Sequence, residues 1–300
     1  MKEAHISSWL KAFRLRTLPL AFSCVITGSF LAAYHFSFNW IVMVLALITT
    51  LFLQILSNLS NDYGDTIHGA DSVDRVGPQR AVQAGLISKE AMKNAMIIFS
   101  LLAFISGISL LYVALKFSTA LLFFLLLGLG AIAAAIKYTA GKNPYGYRGL
   151  GDFFVFLFFG LVGVEGTFYL HTQSFLISGL LPATTVGLLS VAVLNLNNMR
   201  DHISDAKAGK STLVVKMGFE RAKLYHASLI IVAFVAALSF CLIDLHSFWQ
   251  LLFLPVFVFL FLHLRYVLQC NNAALLDGEL KKVALSTFVF SLLFGIGLLM

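Results

Sequence analysis

The sequence predicts an all-α polytopic membrane protein in which nine transmembrane helices form one bundle with Asp-rich cytoplasmic loops. Of its 300 residues, 59% are hydrophobic and only 12% are charged. With a mean hydropathy of +0.90, the chain is too apolar for a water-soluble globule. It also contains a series of apolar stretches, each near the roughly 20 residues that a helix needs to cross a bilayer core of about 30 Å.

The apolar stretches follow one another without a soluble domain or a long linker, so we expect a single transmembrane domain over residues 1–300. The two enlarged loops follow the second and the sixth stretch. This spacing favours two four-helix units with a ninth helix appended. The predicted spans are Leu18–Tyr34, Trp40–Leu56, Ala95–Leu115, Thr119–Ile136, Phe153–Leu170, Leu176–Leu194, Ala227–Ile243, Phe248–Leu268 and Val283–Met300.

The positive charge predicts the orientation of the bundle. If the N-terminus is cytoplasmic, all of the 21 Lys and Arg residues except Lys116 fall on the inner side. This bias favours an inside N-terminus and, with an odd number of spans, an outside C-terminus. The net charge of +7 then reflects topology. Nucleic-acid binding explains it poorly, because the basic residues are divided among short loops, and the inner face should instead attract anionic lipid or substrate.

Two other features of the chain predict no additional chemistry. The first apolar stretch follows basic residues, as in a signal peptide, but no convincing cleavage site follows, so we predict the first span there. The cysteines, Cys24, Cys241 and Cys270, form no C-x-x-C pair and favour inert packing over zinc binding or redox work.

Two Asn/Asp triplets lie where spans two and six run out into basic segments. In the second triplet the residues are four apart, so they advance by about 40° and 80° and occupy one helix face. Carboxylates at such spacing repel each other unless a cation neutralises them. Clustered oxygen ligands are typical of Mg²⁺ sites. A bound Mg²⁺, together with nearby Arg and Lys, can hold a polyanion such as diphosphate. The triplets are Asn61, Asp65 and Asp71, then Asn197, Asp201 and Asp205.

The first triplet requires a change in chain direction. Asp71 can reach the same cation as Asp65 only if the helix ends near Gly64 or Gly69 and the chain turns back. Asp62 lies about 60° from Asp65 around the helix. At this angle it can bind the metal as a further ligand or hydrogen-bond to residues that do.

Basic side chains near the triplets are candidates for binding phosphate oxygens. Arg75 and Arg80 follow the first triplet, and guanidinium groups bind phosphate in a bidentate manner. The loop Tyr138–Asp152 carries Lys142 and Arg148 together with Gly and Pro. It can act as a lid over the site or as a plain connection, and we favour the lid.

These motifs resemble those of the UbiA-type intramembrane prenyltransferases, and the resemblance covers nearly the whole chain. Within that family, the sequence is most similar to the branch that prenylates 1,4-dihydroxy-2-naphthoate. Besides the triplets, the resemblance rests on the segments NDYGD, GPQRAVQAG, YTAGKNPYGYRGLGDFFVFLFFG, NNMRD and DAKAGKSTLVVKMG.

The resemblance implies an enzyme of the bacterial inner membrane that acts in menaquinone biosynthesis. It would transfer a polyprenyl group from polyprenyl diphosphate to 1,4-dihydroxy-2-naphthoate, releasing CO₂ and diphosphate and giving demethylmenaquinone. The resemblance implies that Mg²⁺ bound to Asn61, Asp65, Asp71, Asn197, Asp201 and Asp205 holds the diphosphate, with help from Arg75, Arg80 and Lys142 or Arg148. We add Asp62 as a candidate metal ligand and Tyr138 as a candidate diphosphate contact. Of these, we expect Asp65, Asp201, Arg80 and Lys142 to act in the catalytic step.

Other activities remain open at this point. One alternative is that this chain is another member of the same family, with a different aromatic acceptor such as 4-hydroxybenzoate. A more distant alternative is a cation-coupled transporter, whose acidic residues should lie deep in broken spans, whereas these lie at span ends. Arg14 departs from the family's Arg-Pro-x-Thr-Leu pattern because Leu15 replaces the proline. Glu165, inside span five, either lines an acceptor cavity or is a neutral acid bonded between helices.

Overall fold

The computed structural model describes residues 6–69, 80–243 and 245–300 of the chain. Within these residues, nine helices are long and apolar enough to cross a membrane, which confirms the predicted fold class. They are α1 (Ile6–Tyr34), α2 (Trp40–Ile67), α3 (Lys89–Leu115), α4 (Ala120–Lys137), α5 (Gly151–Thr172), α6 (Leu180–Lys207), α7 (Phe219–Ile243), α8 (Phe248–Gln269) and α9 (Ala273–Leu299).

Helix α1 is broken where the chain enters the bundle. Its first part, Ile6–Phe13, is separated from the main part, Leu18–Tyr34, by a 3₁₀ turn. Arg14 adopts the left-handed conformation there, with φ of 49°, which is uncommon for a residue other than glycine. The break changes the direction of the chain and brings Thr17 to the wall of the bundle.

Polar caps fix the start of α2 and α3. The Asn39 side chain accepts hydrogen bonds from the backbone N–H groups of Ile41 and Val42, and Ser88 accepts one from Ala91. Such caps satisfy N–H groups that have no partner inside the helix. They therefore define where α2 and α3 begin.

Helix α5 contains a π-helical stretch, Phe156–Glu165, flanked by α-helical turns. It packs closely on α6, because a Cβ added at Gly160 would lie 3.0 Å from the Cα of Gly187. Small residues allow this close approach between membrane helices. The wide turns of a π-helix are frequent at functional sites, and several residues of this stretch line the central cavity.

The first and last helices close the bundle. Helix α9 packs against α1 and α6, while α2 packs against α3, α4 and α1. Phe253, Phe257, Phe290 and Phe294 fill the space between α8 and α9 and are fully buried. Large apolar side chains such as Phe123 and Phe259 are exposed on the outside. The chain is a multi-pass membrane protein, and this outer surface faces lipid.

Candidate functional site

A cavity of ≈ 480 Å³ runs through the bundle from a polar end into an apolar interior. Its lining on α2 extends from Ala46 to Asp65. Because a helix rises about 1.5 Å per residue, this stretch spans about 28 Å, close to the thickness of a bilayer core. The cavity is therefore long enough to hold a polar group at one end and an extended apolar chain below it.

The first triplet lies at the polar end of the cavity. Asn61 and Asp65 both line it, and Thr139 donates a hydrogen bond of 3.1 Å to the amide oxygen of Asn61. The buried carboxylate of Asp65 accepts hydrogen bonds from Arg80 and from the Tyr147 hydroxyl. Arg80 also donates to the backbone carbonyl of Asn61. The Asp65 carboxylate, the Arg80 guanidinium and the Tyr147 hydroxyl therefore form one hydrogen-bonded group.

The second triplet is organised by Arg200, which is itself buried. Its guanidinium binds both carboxylate oxygens of Asp201, at 2.8 and 2.6 Å. It also donates to the amide oxygen of Asn197 at 2.9 Å and to Asp277 of α9 at 2.6 Å. A bidentate Arg–carboxylate pair is geometrically specific, so Arg200 fixes two members of the triplet and ties them to α9.

Lys210 joins the two triplets. Its ammonium nitrogen lies 3.2 Å from Asp65 and 3.1 Å from Asp205, each measured to Oδ1. Asp65 belongs to α2 and Asp205 to α6, so acids from distant parts of the sequence meet across one polar hollow. The like charges that the sequence places there are neutralised by a cationic side chain between them.

The donor set fits Mg²⁺. Both triplets offer only carboxylate and amide oxygens, the hard ligands that this ion prefers. All their members except Asp71 line the cavity; Asp71 and Arg75 lie outside the described residues. In the part of the chain that the structure describes, no three His, Cys, Asp or Glu groups are spaced as metal ligands. The Lys210 ammonium occupies the space between Asp65 and Asp205 and marks a position where positive charge is stabilised.

Asp62 faces away from this hollow. It is absent from the cavity lining, and its carboxylate accepts hydrogen bonds from the backbone N–H groups of Ala81, at 2.9 Å, and Val82, at 3.1 Å. Of the two roles considered for Asp62, the structure favours a partner over a ligand. Asp62 fixes the segment that carries Arg80.

Replacing Asp62 by Ala should lower stability rather than metal affinity. Two buried N–H groups would lose a charged acceptor, at a cost of about 1.5–3 kcal/mol per bond. We expect a clearly lower thermal unfolding midpoint in detergent, with an unchanged Mg²⁺ concentration for half-maximal activity. Exposed Glu90 gives the control, E90A, which should change neither value. A higher Mg²⁺ requirement at unchanged stability would instead make Asp62 a ligand.

The loop Tyr138–Asp152 covers the polar end of the cavity. Tyr147 contacts Asp65, as described above, and its backbone carbonyl accepts a hydrogen bond of 2.7 Å from Ser211. Lys142 and Arg148 have exposed side chains and do not line the cavity. The loop therefore has the position of a lid, but tyrosines rather than its basic residues face the hollow.

Tyr138 lines the cavity beside Tyr147. Burial, reinforced by the nearby carboxylates of Asp152, Asp65 and Asp205, raises the pKa of the Tyr138 phenol above its ordinary value. The phenol stays protonated at neutral pH. It can therefore donate a hydrogen bond to an anion in the hollow.

Sequence reasoning missed Tyr147 and Asp277 as site residues. Tyr147 is one of several tyrosines in its loop, and nothing in its spacing separates it from the others. Asp277 offered a signal, since it is an acid six residues before the last predicted span.

Glu165 does not line the cavity; its carboxylate accepts a hydrogen bond of 2.7 Å from the backbone N–H of Leu176, which favours the packing role.

Comparison with known proteins gives the family. Residues 21–276 match the sequence profile of the UbiA prenyltransferase family. A protein of Escherichia coli (strain K12) named 1,4-dihydroxy-2-naphthoate octaprenyltransferase is 44% identical over 301 residues, covering 99% of this chain and 98% of that protein.

Two solved structures share the fold. The apo structure of a UbiA homolog from Aeropyrum pernix K1 has a TM-score of 0.69 at 16% identity and covers 96% of this chain and 98% of its own. A UbiA homolog from Archaeoglobus fulgidus, bound to GPP and Mg²⁺, has a TM-score of 0.63 at 15% identity, with 96% and 99% covered. By its sequence match and its relatives, this chain belongs to the UbiA prenyltransferase family.

Proposed function

We propose that the protein transfers a polyprenyl group from polyprenyl diphosphate to 1,4-dihydroxy-2-naphthoate, a step of menaquinone biosynthesis. The observation that carries the reaction type is the meeting of Asp65 and Asp205 around one cation at the mouth of a long apolar cavity. The choice of acceptor is supported by similarity along the full chain to a protein named for that acceptor.

The polar end would hold Mg²⁺ and diphosphate. Asn61, Asp65, Asn197, Asp201 and Asp205 supply oxygen ligands, with Asp71 as a further candidate. When bound, the metal ion neutralises the negative charge that builds up on the departing diphosphate. The A. fulgidus homolog was solved with GPP and Mg²⁺, which supports this ligand pair for the family fold.

Arg80, Lys210 and Tyr147 would bind the diphosphate directly. All three contact Asp65 and so surround the point where the phosphate oxygens must lie. Two positive charges and a phenol hydroxyl stabilise the leaving group as the allylic C–O bond breaks. Preorganised donors of this kind are worth about 10²- to 10³-fold in rate each. Arg75, Lys142 and Arg148 stay predictions, with a weaker case for the last two because their side chains are exposed.

The apolar part of the cavity would take the prenyl chain. Its walls include Phe154, Phe158 and Leu125. Such walls exclude water, which would otherwise capture the allylic cation. The electron-rich ring of the acceptor attacks that cation instead. A C–C bond forms, the carboxylate leaves as CO₂, and the product is the hydroquinone form of demethylmenaquinone, because no oxidant takes part.

The distribution of basic residues supports a cytoplasmic N-terminus, and similarity to an Escherichia coli protein supports a bacterial inner membrane. The polar end of the cavity then opens to the cytoplasm, where a water-soluble aromatic acid and Mg²⁺ are available. The apolar interior receives the lipid-soluble donor from the membrane. The net charge of +7 is then explained by the basic residues on the cytoplasmic side and does not require nucleic-acid binding.

An assay with the purified protein in lipid nanodiscs tests the proposal. We expect product from 1,4-dihydroxy-2-naphthoate, polyprenyl diphosphate and Mg²⁺, loss of product with a chelator, and recovery when excess Mg²⁺ is added. With 4-hydroxybenzoate as the acceptor we expect at least about 100-fold less product. Faster turnover of 4-hydroxybenzoate, or no product with donors of any chain length, would contradict it.

A further inference from the structure

A second polar group lies deeper in the cavity, away from the two triplets. Thr17, Gln54 and Asn58 line this part of the wall, where α1 meets α2. The Asn58 amide nitrogen donates to the backbone carbonyl of Phe13 at 2.9 Å. Because a carbonyl only accepts, the orientation of the Asn58 amide is fixed, and its oxygen is turned toward Gln54.

This orientation determines that of Gln54 as well. The Gln54 amide nitrogen donates to the Asn58 oxygen at 3.4 Å and to the Thr17 hydroxyl at 3.2 Å. Both N–H groups are therefore used by neighbouring residues, and the amide oxygen of Gln54 is not among the buried polar atoms, so it is accessible from the cavity that Gln54 lines. Among the described residues, no donor reaches that oxygen. A ligand at this position must therefore donate a hydrogen bond.

The depth of Gln54 matches that of a reacting acceptor. Gln54 lies two helix turns, about 10 Å, from Asn61 on the same face of α2. With diphosphate at Asn61 and Asp65, the allylic carbon lies just below it, and a ring poised to react must be about 3–3.5 Å from that carbon. A bicyclic ring there reaches the level of Gln54. Ile132 and Leu53, also in the lining, supply apolar contact for its faces.

We infer that the Gln54 amide oxygen accepts a hydrogen bond from a ring hydroxyl of the aromatic acceptor and makes the enzyme selective for that hydroxyl. This inference rests on the proposed function and extends it to the acceptor subsite. A hydroxyl that donates to Gln54 places more electron density on its ring, which favours attack on the allylic cation. An acceptor without the hydroxyl leaves the amide oxygen desolvated and without a donor, which is how polar pockets reject such analogues.

Two naphthoates that each lack one hydroxyl test the inference on the unaltered protein. We expect one of 1-hydroxy-2-naphthoate and 4-hydroxy-2-naphthoate to compete with 1,4-dihydroxy-2-naphthoate at least about tenfold more weakly than the other. Equal inhibition by the two compounds would overturn the inference. This measurement requires no variant and does not depend on how well a variant folds.

The near-isosteric variant Q54M identifies the residue responsible. We expect kcat/KM for 1,4-dihydroxy-2-naphthoate to fall by about tenfold or more, while kcat/KM for the analogue without the bound hydroxyl changes little. The ratio of kcat/KM for the two acceptors should therefore fall by the same factor in Q54M. Comparing this ratio between Q54M and the wild type removes the effect of the different intrinsic reactivity of the two acceptors. The KM for polyprenyl diphosphate should be unchanged. The control Q269M, at an exposed position, should leave every constant as in the wild type.

The outcomes separate the inference from the function beneath it. If the wild type prenylates the dihydroxy acceptor but Q54M keeps its full selectivity, the inference is wrong and the proposed function stands. If the wild type makes no product from that acceptor, both are wrong. A fall in activity with all acceptors alike, together with a higher KM for polyprenyl diphosphate, would show a structural role for Gln54 and also contradict the inference.

Discussion

The variant D65N is expected to lose prenyl transfer by about 1,000-fold or more. Asp65 contacts Arg80, Tyr147 and Lys210 and is proposed as a metal ligand, so the neutral amide weakens several interactions at once. Removing one preorganised electrostatic group from an active site typically costs about 10²- to 10³-fold. Single-turnover rates at saturating donor and Mg²⁺ measure the loss.

The matched variant in the second triplet, D205N, should show a loss of similar size, because Asp205 faces the same cation position. E90Q removes a carboxylate from an exposed position and should keep the wild-type rate. If D65N is inactive while D205N stays within about tenfold of the wild type, the two triplets do not act at one site.

The variant K210M should lower the rate by about 100-fold and change how Mg²⁺ affects stability. Without the ammonium group, Asp65 and Asp205 face each other with no cation between them, and like charges at such a distance repel. We expect a lower unfolding midpoint than wild type without Mg²⁺ and a larger rise when Mg²⁺ is added, because the ion replaces the missing charge.

Thermal unfolding in detergent, with and without Mg²⁺, checks this result. The variant K93M, at an exposed site on α3, serves as the control and should respond to Mg²⁺ as the wild type does. An equal Mg²⁺ effect on K210M and wild type would mean that the ion binds away from the position of Lys210.

Most of the fold could be predicted from the sequence, because the bilayer requires long apolar helices and this chain contains them. The predicted spans cover only the part of each helix that crosses the apolar layer. Helix α2 continues past the span end at Leu56 to Ile67, close to the turn expected near Gly64 or Gly69, and α6 continues past Leu194 to Lys207. Hydropathy detects only the part of a helix that lies in lipid. The helical start of α1 at Ile6, before the predicted Leu18, was missed for the same reason.

The candidate site was predictable where a single helix decides the geometry. The four-residue spacing of Asn197, Asp201 and Asp205 places all three on one face, and all three line the cavity. The angle of about 60° between Asp62 and Asp65 did not decide between the two roles of Asp62. Its role depends on the backbone N–H groups of Ala81 and Val82, which belong to a separate segment of the chain.

Contacts between separate helices could not be predicted from local patterns. Asp277 reaches Arg200 only because α9 packs against α6. The Gln54 oxygen has no donor among the described residues because of hydrogen bonds that involve Thr17, Asn58 and the backbone of Phe13, which come from two parts of the chain. Spacing within one helix carries no information about such partners.

Anomalous diffraction from crystals grown with Mn²⁺ in place of Mg²⁺ and an unreactive prenyl thiolodiphosphate would locate the metal. We predict anomalous density between Asp65 and Asp205, next to a phosphorus atom of the analogue, with Lys210 displaced from its contact with at least one of the two acids. Metal bound by only one triplet, or density outside the cavity that both triplets line, would contradict a shared site.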